Sequence, residues 1–311
     1  MRFPVDKPIH IVMLGCGGTG GHIAPHLYRL LYSLFRPAKV ILCDGDIVEK
    51  KNLVRQNFIA ADLGKNKAEV LATRYAGAFG METCFIDHFI ESELPYLLTK
   101  DLVVLANIAG STPDECAEVA AKLEDTDVHM IELNISCPNV KQGGAAFGTS
   151  CEMAAEVTRR VRAATTKPLV VKLSPNVTSI ADIAKSVEAA GADAVSLINT
   201  LLGMRINIDT GRPILHNNVG GMSGPAVFPI AVRMVWQVAN AVKIPVIGMG
   251  GVSSGRDAIE LMMAGASAVQ VGAAIFTDPY APVRIVDEMN EFLDSKGIAS
   301  VRDIIGTVKP W

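Results

Sequence analysis

Cys137 follows Glu132-Leu133-Asn134-Ile135-Ser136 and precedes Pro138-Asn139, which puts a thiol just beyond the C-terminal end of an apolar strand. A thiolate in a polar loop can act as a general base, and the Gly143-Gly144 pair that follows lets such a loop move. A lone cysteine is more often a small buried hydrophobe, and Cys16, Cys43, Cys116 and Cys151 are read that way. Val171-Lys172-Leu173 sets a lysine inside an otherwise apolar strand. A buried ammonium requires an anion or a change of protonation, so snorkelling to solvent is the weaker reading. Ile198-Asn199-Thr200 ends the next strand with two hydrogen-bonding side chains. Glycine-rich loops follow the late strands: Gly220-Gly221-Met222-Ser223-Gly224, Gly248-Met249-Gly250-Gly251 and Gly272-Ala273-Ala274. Loops after the last strands of a β/α barrel are where cofactor phosphates bind.

A second chemistry lies upstream. Gly15-Cys16-Gly17-Gly18-Thr19-Gly20-Gly21 stands between a strand and an amphipathic helix, where backbone N–H groups and the helix end can receive a phosphate. Alone, this pattern is a weak signal, since a plain tight turn is the lesser but real alternative; here it stands in the strand–turn–helix context that a phosphate site needs. Asp44-Gly45-Asp46 ends the second strand, where an acid can hold ribose hydroxyls. Asn52 through Phe58 and Gly64 through Ala68 add Asn52, Arg55, Gln56 and Lys67.

Short apolar runs must position these groups. Candidate strands are Ile9–Leu14, Lys39–Cys43, Leu102–Asn107, His129–Asn134, Leu169–Leu173, Ala194–Ile198, Pro245–Met249 and Ala268–Val271, with a weaker one at Cys84–Ile86. They are rich in Val, Ile and Leu without clean alternation, which suits parallel strands buried on both faces. Helix-period segments alternate with them, among them Ile23, Leu27, Leu30, Leu31 and Leu34, and Ile183, Val187 and Ala190. Helices near 179–190 and 256–264 end at Gly191 and Gly265, where a C′ glycine is expected. Eight strands fit a (β/α)₈ barrel, but a doubly wound sheet uses the same units. The local chemistry divides the chain near residue 100.

The chain has 311 residues, half of them apolar, and a net charge of −3, which predicts a soluble globular protein and excludes a disordered or collagen-like one. No basic excess marks a nucleic-acid partner. The longest uncharged stretch, Pro8 to Tyr28, is broken by glycines and Pro25 and is not read as a membrane span. Six scattered cysteines, no CxxC pair and no apolar leader predict a reduced, cytoplasmic chain, and no metal site is predicted.

Over roughly residues 8–92 the motifs GCGGTGG, DGDIVEKKNLVRQNF and GKNKAEVLA resemble those of the ThiF/MoeB family of ATP-dependent adenylating enzymes, in order and spacing. That resemblance implies a Rossmann-like segment in which Gly15, Gly17 and Gly18 line the nucleotide. It also implies that Asp44 takes the ribose and that Asn52, Arg55, Gln56 and Lys67 face the phosphates. The family's next strand ends in a magnesium-holding aspartate. Here Asp101 to Asn107 ends without a carboxylate, so a nucleotide pocket is expected without adenylation.

Over about residues 100–308, ELNISCPN, VKLSPN, INTLLGM, GGMSGPA, GMGGV and GASAVQVG resemble class 1B dihydroorotate dehydrogenase. The resemblance implies a TIM barrel with six family strands from residue 102 onward, FMN as cofactor and Cys137 as the base acting on dihydroorotate in pyrimidine (UMP) biosynthesis. It implies that Asn134, Asn139, Asn199 and Thr200 bind the pyrimidine. Asn107, Asn134, Lys172, Ile198, Gly224, Gly250, Gly251, Gly272 and Ala273 would hold FMN, with Lys172 stabilising the reduced ring. A homodimer is implied, and a partner subunit carrying FAD and a 2Fe–2S cluster that passes electrons to NAD⁺. The family's N-terminal flavin and substrate loops are not found in residues 1–100, so the chain looks like a chimera joined near residues 92–104. Residues 1–100 are read as the nucleotide-binding-type segment and 101–311 as the FMN-binding barrel. The alternatives are an ATP-binding adenylating module or a flavin-binding protein with little turnover.

Overall fold

The computed structural model describes residues 9–14, 24–25, 27–29, 31–32, 38–43, 47–53, 58–86, 89–99, 102–136, 144–215 and 217–311. Two compact units divide the chain, Met1–Leu102 and Val103–Trp311.

In the first unit, β1 (Ile9–Leu14), β2 (Ala38–Cys43) and β3 (Glu82–Ile86) form a parallel sheet in that order. This is the strand order of one half of a doubly wound α/β sheet. Residues 24–25, 27–29 and 31–32 are helical, as the apolar spacing predicts. Helix α1 (Lys67–Phe79) starts at Asn66, whose side chain accepts from the Glu69 amide, and α2 spans Phe89–Leu98. The core gathers Tyr28, Val40, Leu42, Val48 and Leu71, all essentially buried. Tyr28 stacks against Phe79 and donates from its hydroxyl to Thr83 Oγ1 at 3.0 Å. An apolar cluster of this kind gives the unit its own core.

The second unit carries six parallel strands: β4 (Leu105–Ile108), β5 (Met130–Asn134), β6 (Leu169–Lys172), β7 (Ala194–Leu197), β12 (Val246–Met249) and β13 (Ala268–Gln270). Their order across the sheet is their order in the chain. Strands that advance in one direction are the winding of a β/α barrel, whereas a doubly wound sheet reverses at a switch point. Ile131, Leu133, Leu169, Val170, Val171, Val195 and Leu197 are fully buried, as two-sided burial requires.

Helices α3 (Pro113–Glu124), α4 (Cys151–Ala164), α5 (Ile180–Ala189), α6 (Phe228–Ala239), α7 (Gly255–Met263) and α8 (Ala281–Lys296) lie between or after these strands. Thr112, Ser150, Ser179 and Ser254 cap four of them by accepting an amide three residues on. Gly191 and Gly265 follow α5 and α7 with φ of 102° and 117°, the C′ geometry expected from the sequence.

Strands β1 and β2 stand in the Rossmann-like sheet expected of the N-terminal third: among the described residues β1 pairs with β2, and β2 with β3. Two expectations are corrected. The strand read at Leu102–Asn107 is shorter and shifted, Leu105–Ile108. Val104 donates its N–H to the His129 side chain at Nδ1, 3.0 Å, while its carbonyl accepts the His129 and Met130 amides, and Leu102 and Val103 are exposed. The segment after β7 is not plain loop. It holds β8 (Leu201–Gly203), β9 (Ile206–Asn207), β10 (Arg212–Pro213) and β11 (Gly220–Met222), paired antiparallel as β8 with β11 and β9 with β10. Pairings of two or three residues are too short to leave a period.

Among the described residues no helix is long and apolar enough to cross a membrane. Cys116 is buried as read, and burial pushes its thiol up to about 11, with Glu115 adding to the rise. Cys151 departs from that reading: it opens α4 and is partly exposed.

Candidate active site

A cavity of about 210 Å³ opens at the C-terminal ends of the second unit's strands. Lys172 ends β6 and reaches into it. Ile198, Asn199 and Thr200 follow β7, Ser223 and Gly224 follow β11, Met249 to Gly251 end β12, and Gln270 to Ala273 end β13. Ligands enter β/α barrels on this face, because the loops after the strands are free to vary while the strands hold them. Nine residues singled out in the sequence thus converge: Lys172, Ile198, Asn199, Thr200, Gly224, Gly250, Gly251, Gly272 and Ala273.

Each is held by its neighbours. Asn199 Nδ2 donates to Ser136 Oγ at 2.7 Å, and Ser136 Oγ donates to Asn134 Oδ1 at 2.7 Å. Asn134 is therefore tied to the cavity wall through one hydroxyl. Asn176 Nδ2 donates to the Thr200 carbonyl at 3.0 Å, while its Oδ1 accepts the Leu202 amide at 3.0 Å, which fixes the turn from β7 into β8. Asn107 donates from Nδ2 to Glu132 instead of reaching the cavity directly.

The floor is charged. Glu132 sits in β5 with 3% exposure, and its Oε2 lies 3.7 Å from Lys172 Nζ. This is the anion that a lysine in an apolar strand requires. Ser196 Oγ donates to Glu132 Oε1 at 2.6 Å and Gln270 Nε2 to the same oxygen at 3.4 Å.

The glycine loops shape the rim. A Cβ on Gly251, whose φ is 83°, would stand 2.6 Å from the Gly224 carbonyl, so these two loops touch backbone to backbone. Gly224 and Gly272 differ, since a Cβ at either would meet no atom within 4 Å. Their backbones therefore face open space, the cradle that a phosphate or a ring edge needs. A neighbouring cavity of about 280 Å³ shares Gly224, Gly251 and Ala273 and is lined also by Ser253, Thr277 and Arg284. Arg284 Nη2 donates to the Ser253 carbonyl at 3.1 Å while pairing with Asp278 and Glu288, which fixes the loop after β12. The Gly255 amide and Arg284 together hold the Glu288 carboxyl below the usual range.

In the first unit, Asn52 is buried and its Oδ1 accepts the Glu49 amide at 2.7 Å; Lys67 is buried at the start of α1. Ile47 bridges to Asn66, so the two motif segments are adjacent. Cys137, Asn139, Gly15, Gly17, Gly18, Asp44, Arg55 and Gln56 lie outside the described residues. The sequence reading passed over Glu132, Ser196, Gln270, Ser136 and Asn176. Glu132 had a signal, a charge inside an apolar strand like that of Lys172. The others had none, because Ser, Gln and Asn at strand ends are ordinary.

A singly wound parallel sheet with a ligand-sized cavity at its C-terminal edge defines a barrel-type α/β scaffold suited to a small molecule. A family model described as dihydroorotate dehydrogenase matches residues 71–293, and a ThiF family model matches residues 7–79. The catalytic subunit of dihydroorotate dehydrogenase B (NAD(+)) from Citrifermentans bemidjiense is 54% identical over 233 residues, covering 75% of this chain and 76% of that protein. The corresponding subunit from Geobacillus kaustophilus is 52% identical over 230 residues, 74% of each chain. The crystal structure of DHODH from Eimeria tenella in complex with ferulenol superposes with a TM-score of 0.60 at 22% identity, over 74% of this chain and 70% of that one. The chain belongs to the dihydroorotate dehydrogenase family, and with it to the oxidoreductases. Its first part is ThiF-like, and the two matches overlap in residues 71–79, inside α1.

Proposed function

We propose that the second unit binds FMN in its C-terminal cavity and oxidises dihydroorotate to orotate, the flavin step of pyrimidine synthesis. The observation that carries this reading is the convergence of Lys172, Asn199 and Thr200 with the three glycine loops on one cavity. Bound FMN supplies a hydride acceptor. The glycine backbones at 224, 250, 251 and 272, with Ile198 and Ala273, hold its ring and phosphate, and Lys172 offers a cation at the ring edge. Asn107 and Asn134 brace that edge through Glu132 and Ser136.

Asn199 and Thr200, with Asn134 and Asn139, orient the pyrimidine by hydrogen bonds. A buried amide left unpaired by a wrong substrate costs more than an apolar mismatch, so these side chains set specificity. Cys137, one residue beyond Ser136, takes the substrate proton as thiolate. Electrons leave to NAD⁺ through a separate subunit carrying FAD and a 2Fe–2S cluster, docked on a homodimeric core. Support comes from relatives that are named as the catalytic subunit of an NAD(+) enzyme. The first unit adds a ThiF-like nucleotide pocket without adenylation. The experiment is to load the purified chain with FMN, add dihydroorotate and an artificial electron acceptor, and measure orotate. Orotate formation that requires both FMN and Cys137 supports the reading; flavin-loaded chain that forms no orotate refutes the dehydrogenase.

A further inference from the structure

We propose that Glu132 is the positioning residue of this cavity: its carboxylate sets where the Lys172 cation and the Asn107 amide stand, and so tunes the bound flavin. The inference rests on the flavin reading above.

Interior positions of a β/α barrel are normally filled by Val, Ile and Leu. Glu132 breaks that rule at 3% exposure, and a carboxylate so placed is costly unless every lone pair is used. The partners come from four other strands. Oε1 accepts from Ser196 of β7 and Gln270 of β13, while Oε2 accepts from Asn107 of β4 and faces Lys172 of β6. Asn107 is the register partner of Glu132, and Lys172 that of both Asn134 and Ser196. Strand alternation puts Glu132 and Asn134 on one face, so one carboxylate gathers the polar groups that the pleat presents on that face.

The geometry favours positioning over simple strand adhesion. Lys172 and Gln270 both line the cavity, so the carboxylate holds the inner side of its wall. At 3.7 Å the ion pair is loose, and the Lys172 side chain keeps 19% exposure toward the opening. Among the described residues, Glu132 is the one carboxylate within ion-pair reach of Lys172. Its charge offsets the lysine's, so the field at the ring edge is the difference of the two.

The test is the flavin midpoint potential of Glu132→Gln in the full chain, beside Lys172→Met and Gly297→Ala. Glutamine keeps the size and removes the counter-charge. Reduced flavin should then bind about tenfold more tightly relative to oxidised flavin, a positive shift of about 30 mV for a two-electron couple. Lys172→Met should shift the potential negative. Gly297→Ala destabilises the same unit away from the cavity and should leave the potential unmoved. A parent-like potential in Glu132→Gln, with flavin retained, overturns the assignment and leaves the flavin reading standing. A parent that takes up no FMN overturns the flavin reading instead. The assignment is then decided on flavin-free chain by peptide-mapped acylation of Lys172. An ammonium held by a carboxylate reacts more slowly than a free one, so about threefold or faster labelling in Glu132→Gln sustains it and equal rates overturn it.

Discussion

Gly251→Ala isolates the contact on which the cavity's rim depends. Two costs follow from the geometry. Its φ of 83° lies in the left-handed region, which charges an alanine about 1–2 kcal/mol. The new methyl would also stand 2.6 Å from the Gly224 carbonyl oxygen, 2.9 Å from Phe228 Cβ and 3.1 Å from Phe228 N. Two of these three are backbone atoms, one in the Gly224 loop and one at the start of α6, so relief requires moving backbone, about 1–3 kcal/mol more by the usual cost of overpacking. Gly297→Ala is the matched control: its φ is 65°, but a methyl there meets nothing within 4 Å, so only the conformational cost applies. In a unit of this size each kcal/mol lowers Tm by about 2–4 °C. Both tryptophans, Trp236 and Trp311, belong to the second unit, so a fluorescence melt reports that unit. Gly251→Ala should melt below Gly297→Ala, and FMN titration should show about tenfold or weaker binding, the equivalent of 1.4 kcal/mol, for Gly251→Ala alone. Equal melting and parent-like FMN affinity in both variants would refute the argument that the two loops shape one site.

Cys137→Ser should cut dihydroorotate-driven flavin reduction at neutral pH by about 10²-fold while leaving flavin absorbance intact, because serine keeps the size but not the acidity; stopped-flow bleaching measures it. In the parent the rate should climb with pH toward about 8.5 as thiolate forms. Glu124 accepts hydrogen bonds from Thr165 and Thr166, which hold its carboxyl down to about 2. Its contribution to stability is therefore present above the ordinary carboxylate pKa and is lost as pH falls through about 2. Glu124→Gln should be less stable than the parent at pH 7 and approach it near pH 2 in urea titrations. Calorimetry with ATP and Mg²⁺ should show weak binding to the first unit and no acyl-adenylate product. An absence of heat would sink the nucleotide pocket.

Most of the strand scaffold was legible because two-sided burial leaves apolar runs that need no partner to be recognised. Helix ends were legible at Gly191 and Gly265 for the same local reason, a required positive φ. What the sequence hid is pairing. Val104 turns its N–H to the side chain of His129, twenty-five residues away, and the β8–β11 ribbons are too short to carry a period. The cavity residues could be named from the resemblance, but the reason Lys172 tolerates its strand could not. Its anion sits on a neighbouring strand and only register brings the two together. β1 and β2 look like barrel strands because parallel β/α units share one pattern. Which sheet they enter is decided by tertiary packing.

The central claim is that the second unit's cavity is a flavin site for dihydroorotate. One anaerobic titration tests it most directly: the full chain is reconstituted with FMN, freed of excess, and dihydroorotate is added while the flavin spectrum is followed. The account predicts one flavin retained per chain and loss of its visible absorbance on adding substrate. Retained flavin that stays oxidised would contradict the dehydrogenase assignment, and a chain that retains none would contradict the cavity's role.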